Sequence, residues 1–323
     1  ILMQGVRSRA SDIHIEPMES EVRVRYRIDG ALTEAIRLPR RMAAPISSRI
    51  KVMAELNIVE RRRPQDGQFS MVVDKRPIDV RTSVVGVVHG EKIVMRLLDK
   101  TRSLIGLDQL GMPPEVVAPY LEIVKAPLGM LLCTGPTGSG KTTTLYATLT
   151  EVNDVSRNVV TIEDPVEYQF PGVNQMPISE ASGTSFADGL RGILRQDPDV
   201  ILVGEIRDNE TAQLAIQASL TGHLVLATLH TNDSPSAVPR LIDIGIEPYL
   251  VTSSLLAVLA QRLVRRACTS CGGTGQHAGQ RCDTCLGTGY KGRLAVYEIM
   301  PMTDELRRLT AARADALALA DSA

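Results

Sequence analysis

Hydrophobic and polar positions alternate strictly where Val22, Val24, Tyr26 and Ile28 interleave with Arg23, Arg25, Arg27 and Asp29, the period of a strand with one buried face. An Asp29-Gly30 turn closes it, and arginine lines its solvent side. Met42, Ile46, Ile50, Met53 and Leu56 then recur at three- and four-residue spacing, which predicts one amphipathic helix. Two further strands are expected over Phe69 to Val73 and Ile78 to Val84, separated by Asp74-Lys75-Arg76-Pro77 and preceded by a turn at Pro64-Gln65-Asp66-Gly67. A last strand alternates through Ile93, Met95 and Leu97. Residues 1–100 thus read as a small α+β domain, and 101–114, with Gly106, Gly111 and paired prolines, as a linker.

From Glu115 the pattern changes to short apolar runs alternating with helical segments, the signature of a parallel sheet with crossover helices. The expected strands are Met130 to Thr134, Val159 to Ile162, Val200 to Val203 and Leu224 to Thr228. All are nearly continuous hydrophobic runs, as strands covered on both faces require. Polar residues gather at their C-terminal ends: Gly135 onward, Glu163-Asp164, Glu205 and His230. Ligands bind along that edge of an open α/β sheet, so four separate runs converge on one site.

The first of those ends is Gly135-Pro136-Thr137-Gly138-Ser139-Gly140-Lys141-Thr142, a complete G-x-x-x-x-G-K-[ST] phosphate-binding loop between an apolar run and a helical segment. Glycines let consecutive backbone N–H groups converge on phosphate oxygens with no Cβ in the way. Lys141 is expected to reach the β- and γ-phosphates of ATP, Thr142 the Mg²⁺, and Thr143 to complete the nucleotide-contacting set. Hydrolysis needs a held Mg²⁺ and a carboxylate that orients water. Glu205 ends the run Val200-Ile201-Leu202-Val203-Gly204 as the metal-side acid, and Glu163 ends the preceding run as general base, although spacing alone leaves the two roles interchangeable. His230 is placed as a sensor of the γ-phosphate, with His223 a weaker candidate. Arg207, and less directly Arg191 and Arg195, are candidates to stabilise transition-state charge.

Cys268-Thr269-Ser270-Cys271-Gly272-Gly273-Thr274-Gly275 recurs fourteen residues later as Cys282-Asp283-Thr284-Cys285-Leu286-Gly287-Thr288-Gly289. Two such knuckles can close a tetrahedral four-cysteine zinc site, with a redox dithiol as the alternative. With all four positions filled by cysteine, the Zn²⁺ would fold a small lobe at about 265–290 and not catalyse. The fifth cysteine, Cys133, reads as core. A chain of 323 residues with 44% hydrophobic positions has room for two packed domains, and a formal net charge of −1 gives no global attraction to nucleic acid or anionic lipid. No apolar run reaches the length of a membrane span and no signal peptide opens the chain, which begins without methionine and is read as a cytoplasmic fragment.

Together these motifs resemble the type II secretion and type IV pilus assembly ATPases. The resemblance is carried by Arg9-Ala10-Ser11-Asp12-Ile13-His14-Ile15-Glu16-Pro17, Pro64-Gln65-Asp66-Gly67, the phosphate loop and Glu163-Asp164-Pro165-Val166-Glu167-Tyr168. It continues through Leu194-Arg195-Gln196-Asp197-Pro198-Asp199-Val200, Gly204-Glu205-Ile206-Arg207-Asp208, and Thr221-Gly222-His223 to His230-Thr231-Asn232. It implies a RecA-like ATPase domain over 115–323 behind the N-terminal α+β domain, assembled as a homohexamer. It further implies a ring docked on inner-membrane platform and recruiting proteins, driving extrusion of a pilin-like filament, with secretion favoured over pilus assembly by the likeness of the segment Thr221 to Arg265. In the family the four-cysteine lobe marks assembly and secretion members, although the pairs here lie closer together than in other members. Within such a ring Arg23, Arg25 or Arg27 is expected to approach a neighbour's phosphate. Two other readings remain at this stage, a DNA-uptake or conjugation ATPase and a zinc-dependent binding module; the knuckles offer the latter neither an aromatic platform nor a dense basic patch for nucleic acid.

Overall fold

The computed structural model describes residues 1–99, 105–178, 183–277 and 279–323. The chain divides into two compact units, one formed by Ile1–Ser103 with Arg265–Gly292 and the other by Leu104–Val264 with Arg293–Ala323.

The first unit begins α1 (Leu2–Arg7), β1 (Asp12–Pro17), β2 (Glu21–Ile28), β3 (Ala31–Pro39), α2 (Ala43–Met53), β4 (Gln65–Val73), β5 (Arg76–Val87) and β6 (Gly90–Asp99). Among the described residues its strands form an antiparallel sheet in the order β3-β2-β1-β6-β5-β4. The alternation read from β2 is physical: Val22, Val24 and Tyr26 are buried with Ile13, Ile15, Val80, Ile93 and Met95, and Ile50 of α2 and Val6 of α1 pack into the same core. On the other face Arg23 and Arg25 reach across to β1, donating to Glu16 Oε2 at 3.0 Å and Oε1 at 2.7 Å, while Arg96 of β6 donates to Asp12 at 3.2 Å. Burial pushes the Glu16 carboxyl up, but the hydrogen bonds from Arg25 and Arg23 outweigh it and hold the group below its ordinary value. Much of the arginine side is therefore neutralised within its own sheet.

Two of the hairpin turns, β2–β3 and β4–β5, are two residues long with two positive φ values, at Asp29 and Gly30 (48° and 87°) and at Asp74 and Lys75 (50° and 65°), the primed geometry that matches strand twist. The turn expected at Pro64 to Gly67 is not one. Gln65, Asp66 and Gly67 already pair with Val84, Ser83 and Thr82 at the start of β4. Glycine is needed there for space, since a Cβ on Gly67 would lie 2.4 Å from the Ala54 carbonyl oxygen. Gly67→Ala is accordingly expected to destabilise the protein by about 1–3 kcal/mol in chemical denaturation, as overpacking against backbone does; an unchanged midpoint would show that the loop yields. The expected linker lies partly outside the described residues; its remainder contains a short 3-10 turn, Leu107–Leu110.

The second unit contains α3 (Pro114–Val124), β7 (Gly129–Thr134), α4 (Lys141–Val152), β8 (Val159–Glu163), β9 (Asn174–Pro177), α5 (Phe186–Ile193), β10 (Val200–Val203), α6 (Asn209–Leu220), β11 (Leu224–Leu229), α7 (Ala237–Asp243), α8 (Pro248–Ser254) and the start of β12 (Leu255–Ala267). After the cysteine segment with β13 (Gln276–His277) and β14 (Gln280–Arg281), the chain returns through β15 (Tyr290–Pro301) to α9 (Asp304–Ala311) and α10 (Ala316–Asp321). The sheet order is β15-β12-β7-β11-β10-β8-β9, with every pairing from β12 to β9 parallel. Alternate residues of each central strand enter different cores. Met130, Leu132, Ile201, Val203, Val225 and Ala227 face one, and Leu131, Cys133, Val200, Leu202, Leu224 and Leu226 the other. That two-sided burial is why the strands read as unbroken apolar runs. It also places Cys133 in the core, where desolvation pushes its thiol up to about 12. Among the described residues no helix is long and apolar enough to cross a membrane.

One boundary departs from expectation. The cysteine segment groups with the N-terminal sheet and not with the rest of 115–323, and within that unit the Gly292 N–H donates to Asp29 Oδ2 at 2.8 Å.

Candidate phosphate-binding site and cysteine centre

β7 ends in a loop whose Gly135, Gly138 and Gly140 all have positive φ (144°, 76° and 93°), and α4 starts at Lys141. The orphan N–H groups of that helix start, with its dipole, make an anion site. Lys141 is 8% exposed, and its ammonium donates to the carbonyl oxygens of Gly135 at 2.7 Å and Pro136 at 3.2 Å. It thus holds its own loop closed around the place where phosphate would sit. Desolvation lowers its pKa from the ordinary lysine value, opposed by Cys133 and by the Glu205 carboxylate. Pro136, Thr137, Thr142 and Thr143 are exposed, whereas Ser139 is buried with its hydroxyl unpartnered, an orphan polar atom suited to a ligand oxygen.

Glu163 and Glu205 stand at the tips of neighbouring strands, with Ile162 opposite Val203 and the Gly204 N–H donating to the Ile162 oxygen at 2.8 Å. Their surroundings differ sharply. Glu163 is 3% exposed; its Oε1 accepts from Thr161 at 2.6 Å and Gln175 at 3.1 Å, and its Oε2 from the hydroxyl of Tyr146 on α4. Burial and that bond to a carboxylate push the Tyr146 phenol well above its usual range. A carboxylate has about four acceptor sites, so three donors leave one for a water. Glu205 has a side chain 15% exposed, bonded to Arg207 through Oε1 and lying 3.5 Å from His230 Nε2 through Oε2. The bond to Glu205 is the main reason the Arg207 pKa is raised.

The fold therefore brings Lys141, Glu205, Arg207 and His230 to one edge of the sheet and ties Glu163 to the helix that Lys141 begins. His223 is not among them. It precedes β11, about 20 Å from His230 at the usual strand rise, and its Nδ1 meets the Ala218 carbonyl at 2.9 Å. Arg191 is engaged by Asp188 and Glu210, and Arg195 donates to the Arg191 oxygen. Sequence reasoning missed Tyr146 and Gln175, whose roles depend on a carboxylate distant in sequence. It also missed Thr134, whose hydroxyl engages Thr231 and the Leu229 carbonyl and so joins β7 to the segment carrying His230.

In the cysteine segment the sulfurs of Cys268, Cys271, Cys282 and Cys285 all lie within 4.8 Å of one another. Cys268 to Cys282 is 4.0 Å and Cys271 to Cys285 is 3.8 Å, against about 2.05 Å for a disulfide. Zinc–thiolate bonds of about 2.3 Å give tetrahedral edges of about 3.8 Å, so the four sulfurs fit a zinc ion. The two knuckles pack reciprocally. A Cβ on Gly275 would strike the Gly287 oxygen at 2.5 Å and one on Gly289 the Gly273 oxygen at 2.3 Å, while Cys268 N–H donates to Gly289 and Cys282 N–H to Gly275. The repeated glycines are thus what lets the halves close on each other. Gly275 and Gly289 N–H groups donate to the sulfurs of Cys271 and Cys285 at 3.3 Å. At Cys271 desolvation raises the thiol while the Gly275 and Gly273 N–H groups lower it, the balance falling at about 6.

The family described as "Type II/IV secretion system protein" matches residues 1–323. The chain is 54% identical over 312 residues to the type II secretion system protein HxcR of Pseudomonas aeruginosa, covering 96% of this chain and 66% of that one. It is 46% identical over 346 residues to the type IV pilus assembly ATPase PilB of Myxococcus xanthus, covering 100% and 61%. The chain therefore spans somewhat less than two thirds of the length of these curated relatives. Among solved structures, the pilus retraction motor PilT with bound ADP superposes with a TM-score of 0.67 at 30% identity, covering 97% of this chain and 85% of that one. The Legionella pneumophila ATPase DotB, at TM-score 0.71, 23% identity and coverage of 99% and 84%, shares the fold. From its first residue to its last, the chain belongs to the type II/IV secretion system protein family.

Proposed function

We propose that this chain is the ATP-hydrolysing motor portion of a type II secretion machine, working as a homohexamer on the cytoplasmic side of inner-membrane platform and recruiting proteins and driving pseudopilus assembly. The observation that carries the reading is a phosphate loop closed by Lys141 with Glu205, Arg207 and His230 at the same sheet edge. Higher identity to HxcR than to PilB favours secretion over pilus assembly. The loop from Gly135 to Thr143 would hold the triphosphate, and Thr142 with Glu205 would hold Mg²⁺, which would neutralise charge on the phosphates. Glu163 orients the attacking water with its one free acceptor site, while His230 and Arg207, both resting on Glu205, re-pair when a γ-phosphate arrives. Zinc on the four cysteines is structural.

Two measurements test this. ATPase rate and molecular mass, followed together against protein concentration, are expected to rise jointly as hexamers form; a concentration-independent rate per chain in a monomer would refute the ring. Glu205→Gln is expected to lower kcat by about 100-fold or more, the usual scale for losing one preorganised electrostatic group. A kcat within a few-fold of the parent would remove Glu205 from the mechanism.

A further inference from the structure

β12 supplies the phosphate loop with a brace from outside the motif. Gln261 is 3% exposed, and its Oε1 accepts from the Thr144 hydroxyl at 2.7 Å in the first turn of α4. Its Nε2 lies 2.7 Å from where a Cβ of Gly140 would stand, and its backbone oxygen 2.3 Å from where one of Gly135 would stand. One residue thus closes on both ends of the loop, with its backbone beside Gly135 and its side-chain amide beside Gly140, two positions whose positive φ already favours glycine. The next residue, Arg262, donates to the Asn232 carbonyl at 3.1 Å, in the segment following His230. Gln261 brings no negative charge to the phosphate site. A carboxylate there would compete with phosphate for the helix N-terminus, and an aliphatic chain would cost the buried Thr144 hydroxyl its bond to β12 and leave it the Tyr297 side chain as its remaining partner.

The geometry points to Gln261 as a positioning residue that holds the phosphate loop in its nucleotide-ready shape before ligand arrives. This rests on the proposed nucleotide site, but part of its test needs no turnover. In the ligand-free protein, Gln261→Met is expected to speed hydrogen exchange across 136–144 while leaving 224–229 at the parent rate. It should also weaken binding of a fluorescent ADP analogue about tenfold, the scale of one lost buried hydrogen bond, and raise the KM for ATP with kcat within about two-fold, since the loss is uniform binding. Gln261→Glu, which keeps an acceptor for Thr144, is expected to weaken ADP binding at least as much through charge. If Gln261→Met does not fold, Thr144→Val breaks the same bond from the helix side and should give the same local exchange and KM pattern. Unchanged loop exchange with unchanged affinity would overturn the proposal, as would exchange accelerated equally in 136–144 and 224–229, which marks a general packing role. Failure of the parent protein to bind or hydrolyse ATP would sink the functional reading alone, because the ligand-free exchange still reports on the brace.

Discussion

Lys141→Ala is expected to reduce ATP turnover about 1,000-fold or more, the upper scale for removing a group aimed at developing transition-state charge. The ammonium contributes twice. In the ligand-free protein it ties together the carbonyl ends of Gly135 and Pro136, and with nucleotide bound it would trade those acceptors for phosphate oxygens. Its lowered pKa means that burial disfavours the charged form. A folded-state pKa below the unfolded value makes the charge itself a destabilising contribution at neutral pH, set against the two hydrogen bonds lost with the side chain, so the alanine variant is expected to remain folded. Phosphate release and a thermal scan on the same sample make the check. Turnover within tenfold of the parent would remove the loop from catalysis, whereas lost turnover with a collapsed melting temperature would signal lost fold.

Removing zinc is expected to have the largest structural effect. Structural zinc sites contribute about 10–16 kcal/mol at neutral pH in small finger domains. The described core of the lobe is the four cysteines themselves. Cys282→Ser should lower the metal content from about one zinc per chain to near zero and expose the amides of both knuckles to exchange. Both are affected because each half donates its cysteine N–H to the other's glycine. Purified protein without zinc, or a serine variant whose knuckle amides stay protected, would defeat the assignment. In Lys141→Ala the zinc content should remain that of the parent, which separates the two centres experimentally.

What the sequence carried by itself was everything written locally. The four core strands, the phosphate loop, the acids at two of the strand tips and the cysteine repeat are each specified within about ten neighbouring residues, by periodicity or by glycine spacing. The Asp29-Gly30 hairpin was legible for the same reason, because a two-residue primed turn is chosen by the residues in it. The turn expected at Gly67 failed because local chemistry cannot distinguish a glycine chosen for φ from one chosen for a close approach, here to Ala54.

Only tertiary structure decided how the two carboxylates differ. Glu163 and Glu205 are equivalent in spacing, yet one is enclosed by Tyr146, Thr161 and Gln175 and the other lies between Arg207 and His230. It also separated His230 from His223, which share a motif but occupy opposite ends of one strand. Gln261 meets Thr144 across 117 residues of chain, in a strand whose apolar run conceals it. The division has one physical cause: backbone conformation is set by near neighbours, whereas the partner that satisfies a buried donor or acceptor is set by which strands the sheet places side by side.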